Sequence, residues 1–168
     1  MLRFLLYFVT FLQLLGAVFL FSALEPIVSR TGFQALPDAN KVFIAAFTII
    51  HLLGLVGAIL VWTQKLMGFR LSIAHQILIA PVVQITNTFG FATQDPFGIF
   101  ILLGNAGNTF RIQFQVTIGQ SRIADFLLAN SGTSFIGINL FAVFCALYLR
   151  SAMRKARSRN ESSQGASA

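Results

Sequence analysis

The chain has 168 residues, of which 56% are hydrophobic and 10% are charged, and its mean hydropathy is +0.78. Soluble domains are about 45–50% apolar and about 25% charged, so this composition favours a protein with several membrane-spanning segments. The net charge of +7 does not indicate nucleic acid binding, because the basic residues flank apolar segments and crowd the C-terminus. A single cysteine excludes an intramolecular disulfide and a cysteine zinc site.

The first two predicted elements are uncharged apolar segments at residues 4–24 and 42–62. Because about 20 apolar residues span the hydrocarbon core of a bilayer, each segment is expected to form a transmembrane helix. A cleaved signal peptide is the alternative for the first segment. Its apolar stretch is longer than the ~7–15 residues of such a signal, however, and Phe21 is too large for the cleavage site. Trp62 is suited to anchor the end of the second helix at the membrane interface.

Two weaker segments, residues 71–91 and 133–150, complete four predicted transmembrane helices within a domain that covers residues 1–150. The segment 71–91 carries no full charge, but it contains several polar residues and Pro81. Proline removes a backbone hydrogen bond, so the helix is expected to kink or break there. The predicted fold class is therefore an all-α polytopic membrane protein with four transmembrane helices.

The distribution of charge predicts how these helices are oriented. If the N-terminus is inside, eight of the twelve Lys and Arg residues lie on the inner side, as the positive-inside rule expects. Four spans then place both termini on the cytoplasmic side. Residues 151–168 form a basic tail that is expected to be disordered beyond its first turn.

The outer loop between the third and fourth helices, residues 92–132, contains a predicted β-hairpin at residues 97–118. An apolar run, a Gly/Asn-rich turn over residues 104–108 and a run of alternating apolar and polar residues follow one another, which is typical of a hairpin. After the hairpin, Ser121 is expected to cap a short helix at residues 122–129. The alternation places five apolar side chains on one face of the second strand: Phe110, Ile112, Phe114, Val116 and Ile118.

An isolated hairpin is only marginally stable in water, so its apolar face needs a cover. The membrane surface, the first outer loop and another protein chain are the candidates. Lipid does not tolerate unsatisfied strand edges, so the hairpin is expected at or just above the outer interface. A re-entrant position against the helices is the alternative. The five apolar residues of the second strand are predicted to contact a partner.

Four polar residues near the middle of the predicted spans form a predicted polar layer: Gln13, His51, Gln84 and Asn139. Hydrogen bonds between helices explain such a layer most simply. A pocket for a quinone or another small ligand, and a polar permeation path, are the alternatives. On the second helix, Gly54 and Ala58 share the face of His51 and allow a neighbouring helix to approach closely.

No cofactor is predicted. If the third helix begins at residue 71, His75 is displaced from His51 by roughly 8–9 Å along the helix axis, which argues against a haem held between them. A haem on one histidine, a quinone or a pigment remain alternatives. No metal-ligand cluster, phosphate-binding loop or nucleophile motif is found, so neither catalytic nor metal-binding residues are predicted.

The sequence therefore predicts a non-enzymatic accessory or structural subunit of a larger membrane complex. Its predicted partners are the lipid bilayer and other membrane subunits or further copies of itself, and not nucleic acid. A small oligomeric transporter or channel built on the polar layer is the first alternative. A quinone- or haem-linked redox subunit is the second.

Overall fold

The computed structural model describes residues 2–85, 89–92, 97–106, 109–118 and 133–165. The helices are α1 Leu2–Thr31, α2 Asp38–Trp62, α3 Leu66–Ile79 and α4 Leu140–Gly165, with a short 3-10 helix at Phe33–Ala35 before α2. The strands are β1 Pro81–Ile85, β2 Phe89–Ala92, β3 Phe97–Ala106, β4 Thr109–Ile118 and β5 Thr133–Asn139. The strands form one antiparallel sheet in the order β2-β1-β5-β3-β4.

The predicted fold class, all-α with four transmembrane helices, is wrong. Within the described ranges, only two helical segments are long and apolar enough to cross a membrane, Phe4–Ser22 and Asn40–Trp62. They correspond to the first two predicted spans, at residues 4–24 and 42–62. The prediction that both termini lie on the cytoplasmic side depended on four spans, so it has no support.

The third and fourth predicted spans are each part helix and part strand. Segment 71–91 contains the end of α3, all of β1 and the start of β2, because Pro81 has no N–H to continue the helix and β-branched residues follow it. Segment 133–150 contains β5 and the first part of α4. Apolar length alone does not distinguish a buried strand joined to a helix from one continuous helix.

The hairpin predicted at residues 97–118 is present as β3 and β4. Its register runs from Phe97 opposite Ile118 to Ala106 opposite Thr109, so the connection is shorter than the turn predicted over 104–108. The hairpin is not isolated, because β5 pairs with the other edge of β3. The short helix predicted at residues 122–129 lies outside the described residues.

The four helices share a buried apolar core at the end of the bundle that is remote from the sheet. Each helix contributes to it, through Val9 of α1, Val61 of α2, Phe69 of α3, and Cys145 and Leu149 of α4. Cys145 is fully buried, as expected of a small apolar side chain. Helix α4 continues to Gly165, so most of the tail for which disorder was predicted extends this helix.

The sheet joins the bundle at two neighbouring strands, because β1 follows α3 directly and β5 directly precedes α4. The backbone N–H of Asn139 donates to the carbonyl of Ala80, at 2.7 Å between N and O. The side-chain Oδ1 of Asn139 accepts from the N–H groups of Phe141 at 3.1 Å and Ala142 at 3.3 Å, which is the geometry of a helix N-cap. The same oxygen accepts from the N–H of Ile99 in β3, at 3.4 Å. One fully buried amide therefore connects α4, β5 and β3.

Replacement of this cap is expected to destabilise the protein. Asn139→Ala removes the acceptor from three backbone N–H groups, and loss of an N-cap alone costs about 1–2 kcal/mol of the free energy of unfolding. Asn139→Ser keeps a capping oxygen but is too short to reach Ile99, so its effect should be intermediate. Thermal unfolding in detergent, followed by circular dichroism, measures both. An unchanged midpoint for Asn139→Ala would contradict this role.

Candidate functional site

A buried polar cluster lies between α1, α2 and α3. It consists of Gln13, His51, Ser72 and His75, each at most 2% exposed. The Nε2 of Gln13 donates to the carbonyl of Ser72 and to Nδ1 of His75, both at 3.3 Å. The rings of His51 and His75 meet edge to face, with their centroids 5.7 Å apart. The cluster thus links three helices through polar contacts inside an apolar bundle.

These hydrogen bonds assign a role to Nδ1 of each imidazole. An amide nitrogen can only donate, so Nδ1 of His75 must accept and carries no proton in this arrangement. A carbonyl can only accept, so Nδ1 of His51 carries the proton that it donates to Phe47 O, at 3.0 Å. Nδ1 therefore accepts on His75 and donates on His51, so the same ring nitrogen has opposite roles in the two imidazoles.

Glycines make this contact possible, because they let α2 and α3 approach closely. A Cβ atom at Gly54 would lie 2.7 Å from Cδ2 of His75, and one at Gly57 would lie 2.7 Å from the backbone nitrogen of Ser72. A side chain at Gly54 would require the ring of His75 to move, and one at Gly57 would require the backbone of α3 to shift. The sequence pattern in which small residues share the face of His51 thus corresponds to the α2–α3 contact.

The predicted polar layer is only partly assembled. Gln13 and His51 both contact His75, but Asn139 caps α4 at the junction with the sheet. Gln84 lies on β1, where its backbone is paired with β2 and β5. The structure therefore brings two of the four predicted residues together, through a histidine that was not included in that layer.

The polar layer predicted from the sequence omits His75, because that prediction starts the third helix at residue 71. Helix α3 begins at Leu66, directly after the connection from Trp62, and the predicted offset of 8–9 Å between the histidines is wrong for that reason. His51 and His75 each lie roughly three helical turns from this connection, so they meet at the same depth. The short Thr-Gln-Lys connection at residues 63–65 was the sequence signal that could have revealed this pairing.

A second polar contact joins α1 to the end of α2. Nε1 of Trp62 donates to Oγ1 of Thr10 at 2.6 Å, and that hydroxyl donates in turn to the carbonyl of Leu6 at 3.0 Å. Trp62 was predicted to be an interfacial anchor, and its ring remains 44% exposed while its N–H is satisfied within the protein.

The second candidate site is the exposed apolar side of the sheet, called here the apolar sheet face. Its exposed residues come from three neighbouring strands. They are Leu103 of β3, Ile136 and Ile138 of β5, and the five predicted residues of β4, Phe110, Ile112, Phe114, Val116 and Ile118. The register makes the face continuous, because Leu103 is opposite both Ile112 and Ile136. The five β4 side chains are 52–73% exposed, so nothing in the described chain covers them.

The opposite side of the sheet has a different character. Val82, Phe100 and Leu102 are buried there and form a small core. On β4 this side carries polar residues, of which Arg111 and Gln113 are exposed. Strand β4 is also the last strand of the sheet, and among the described residues no strand pairs with its outer edge. The apolar sheet face therefore ends at an open strand edge.

Comparison with known protein families, curated proteins and solved structures finds no match for the chain. The two candidate sites are therefore the features of the molecule that bear on its function. Among the described residues, no group of three or more His, Cys, Asp or Glu side chains is placed to hold a metal ion.

Gly54→Ala tests the close contact of α2 and α3. Helix propensity alone favours alanine by about 1 kcal/mol. The added methyl group collides with the ring of His75, so we expect the free energy of unfolding to fall by about 1–3 kcal/mol instead. Thermal unfolding in detergent gives the sign of the change.

The double variant Gly54→Ala/His75→Ala is the control for this experiment. Without the imidazole ring the methyl group has room, so the double variant should lose less stability than the two single changes added together. A Gly54→Ala protein more stable than the wild type would show that the helices are further apart than described.

Proposed function

We propose that this chain is a structural, non-enzymatic subunit of a membrane assembly, and that the apolar sheet face with the open edge of β4 is its assembly interface. The observation that carries the proposal is the continuous apolar surface on three strands that ends at an unpaired edge. Exposed apolar patches of this kind mark interaction sites, and an open edge is a template for another strand.

The surfaces of α1 and α2 support a membrane location. Large apolar side chains remain exposed along both candidate spans, among them Phe4, Phe11 and Val18 on α1, and Val42 and Ile49 on α2, all at least half exposed. In water such surfaces would be unfavourable over this length, whereas a bilayer solvates them. Two helices long and apolar enough to cross a membrane are consistent with this location.

Lipid alone is a poor cover for the sheet. The outer edge of β4 presents backbone N–H and C=O groups, and leaving these unsatisfied in hydrocarbon costs several kcal/mol each. Water is also a poor cover, because it satisfies the backbone groups of the edge but leaves the apolar side chains of the apolar sheet face exposed. A protein strand satisfies both requirements, because it supplies backbone hydrogen bonds at the edge and apolar side chains beside the face.

A second copy of this chain supplies a suitable strand. If two β4 strands pair antiparallel about a two-fold axis at Phe114, Ile112 faces Val116 of the other copy and Phe110 faces Ile118. Residues that oppose each other in an antiparallel pair lie on the same side of the sheet, so the apolar sheet faces become continuous. On the polar side Arg111 faces Thr117, and no like charges meet. Such a self-complementary contact is typical of a two-fold dimer.

The buried polar cluster supports a structural role over transport. Its four residues are enclosed, and the hydrogen bonds of Gln13 join α1 to α3. Contacts of this kind contribute about 0.6 kcal/mol each to helix association.

Phe114→Asp tests the interface. At the two-fold position the change places two carboxylates opposite each other in an apolar contact, so dimerisation should weaken by at least about tenfold. Gln113→Asp is the matched control, since it introduces the same charge at the next residue, on the opposite side of the strand. Light scattering of the purified protein in detergent measures the mass of the complex. Equal masses for wild type and Phe114→Asp would contradict the interface.

Cysteine cross-linking tests the identity of the partner. In a Cys145→Ala background, Phe114→Cys should form a covalent dimer under mild oxidation. Ile136→Cys on the same face should not, because two β5 strands would be about 24 Å apart at roughly 4.8 Å per strand. If the protein is a monomer and Phe114→Cys cross-links only to a different membrane protein, that protein, and not a second copy of this chain, is the partner.

A further inference from the structure

A groove of about 600 Å³ runs along the outer surface of the bundle between α3 and α4. Its walls are mainly apolar and are formed by Ile73, Ile77, Ala80, Val143 and Leu147. Ile77 and Leu147 are more than half exposed, so the groove opens to the surroundings of the bundle and not into its core. It is also separate from the apolar sheet face.

Two arginines line the end of the groove that is remote from the sheet, Arg70 of α3 and Arg150 of α4. Arg70 lies about 15 Å along the helix from Ala80, which closes the other end, at 1.5 Å per residue. Both side chains are exposed. Among the side chains whose positions the structure describes, neither groove arginine forms an ion pair with an acidic residue.

We infer that this groove binds an anionic phospholipid, with one acyl chain along the apolar walls and the phosphate between Arg70 and Arg150. Guanidinium groups bind phosphate oxygens in a bidentate manner, and two of them at one mouth complement a single anionic headgroup. The apolar walls favour a lipid over free phosphate, since a free anion leaves them uncovered.

The size of the groove also supports a lipid chain. Its volume is in the range of small-ligand sites, about 300–1,000 Å³. A helix of another protein about 10 Å wide would need roughly twice this volume over the same 15 Å. The inference rests on the proposed membrane location, but it is independent of pairing through β4.

The test is native mass spectrometry of the full chain, delipidated in a neutral detergent and titrated with defined lipids. Phosphatidylglycerol should bind at least about tenfold more tightly than phosphatidylcholine with the same acyl chains, because only the first carries net negative charge. Equal binding of the two lipids would overturn the inference. So would equal competition by inorganic phosphate, since the apolar walls would then contribute nothing.

Paired variants locate the site. Arg70→Gln/Arg150→Gln should weaken phosphatidylglycerol binding by about fivefold for each arginine removed. Arg154→Gln/Lys155→Gln removes the same charge from α4 outside the groove and should leave binding within about twofold of wild type. Equal losses in the two double variants would overturn the site in favour of general surface charge.

A third variant tests the apolar walls without a change of charge. Ala146→Trp fills the groove and should abolish the preference for long-chain phosphatidylglycerol. Retained binding would overturn the placement of the acyl chain. Light scattering gives the mass of each variant. The dimer through β4 should persist in all of them, so a loss of lipid binding can be distinguished from a loss of the proposed assembly.

Discussion

The backbone contact between Ala80 and Asn139 is the constraint on which the rest of the architecture depends. At this level one chain segment changes from helix to strand and the other from strand to helix, and each change leaves backbone groups that the helix does not satisfy. The bond from Asn139 N–H to Ala80 O, together with the pairing of β1 and β5, satisfies them between the two segments. Because both changes occur side by side, the sheet continues directly from α3 and α4.

Two kinds of contact then fix the helical bundle on the side of this junction that is away from the sheet. Gly54 and Gly57 bring α2 close to α3, and Gln13 of α1 reaches the same place through His75 and Ser72. Polar groups in an apolar bundle are favourable only when they find partners, so the cluster specifies which helix faces meet. On the sheet side of this junction, only one side of the sheet is buried, and the apolar sheet face stays exposed.

Part of this architecture was predictable from the sequence. The alternation from Thr109 to Ile118 predicted β4, its pairing with β3 and the five apolar residues on one face, because a period of two is a strong local signal. The two long apolar helices, α1 and α2, were also recognisable. The patterns over 71–91 and 133–150 were not resolved, since short apolar runs fit a buried strand as well as a helix. Pro81 and Asn139, a helix-ending and a helix-capping residue, were the signals that separate the two elements in each segment.

The site was less predictable, because it depends on the depth at which helices meet. The sequence identifies Gln13 and His51 as polar residues within the predicted helices. The predicted third helix starts at residue 71, five residues after the true start of α3, and this error alone separates His75 from them. Gln84 and Asn139 were assigned to the same layer because strands were read as helix, and the rise per residue differs by about twofold between the two. The groove between α3 and α4 has no signature in the sequence, since it is formed by two segments distant along the chain.

The most direct test of this account is disulfide mapping around Ile136 in the purified protein with Cys145→Ala. Ile136 is opposite Val83 of β1 and opposite Leu103 of β3, and registered strand neighbours have Cα separations of about 4.5–5.5 Å, within the range of a disulfide. We expect Ile136→Cys to cross-link with Val83→Cys in one double variant and with Leu103→Cys in another, while Phe135→Cys, on the other side of β5, cross-links with neither. Cross-linking of Ile136→Cys to Val83→Cys but not to Leu103→Cys would contradict the central position of β5 in the sheet. Equal cross-linking from positions 135 and 136 would contradict a strand there and favour the continuous helix predicted over residues 133–150.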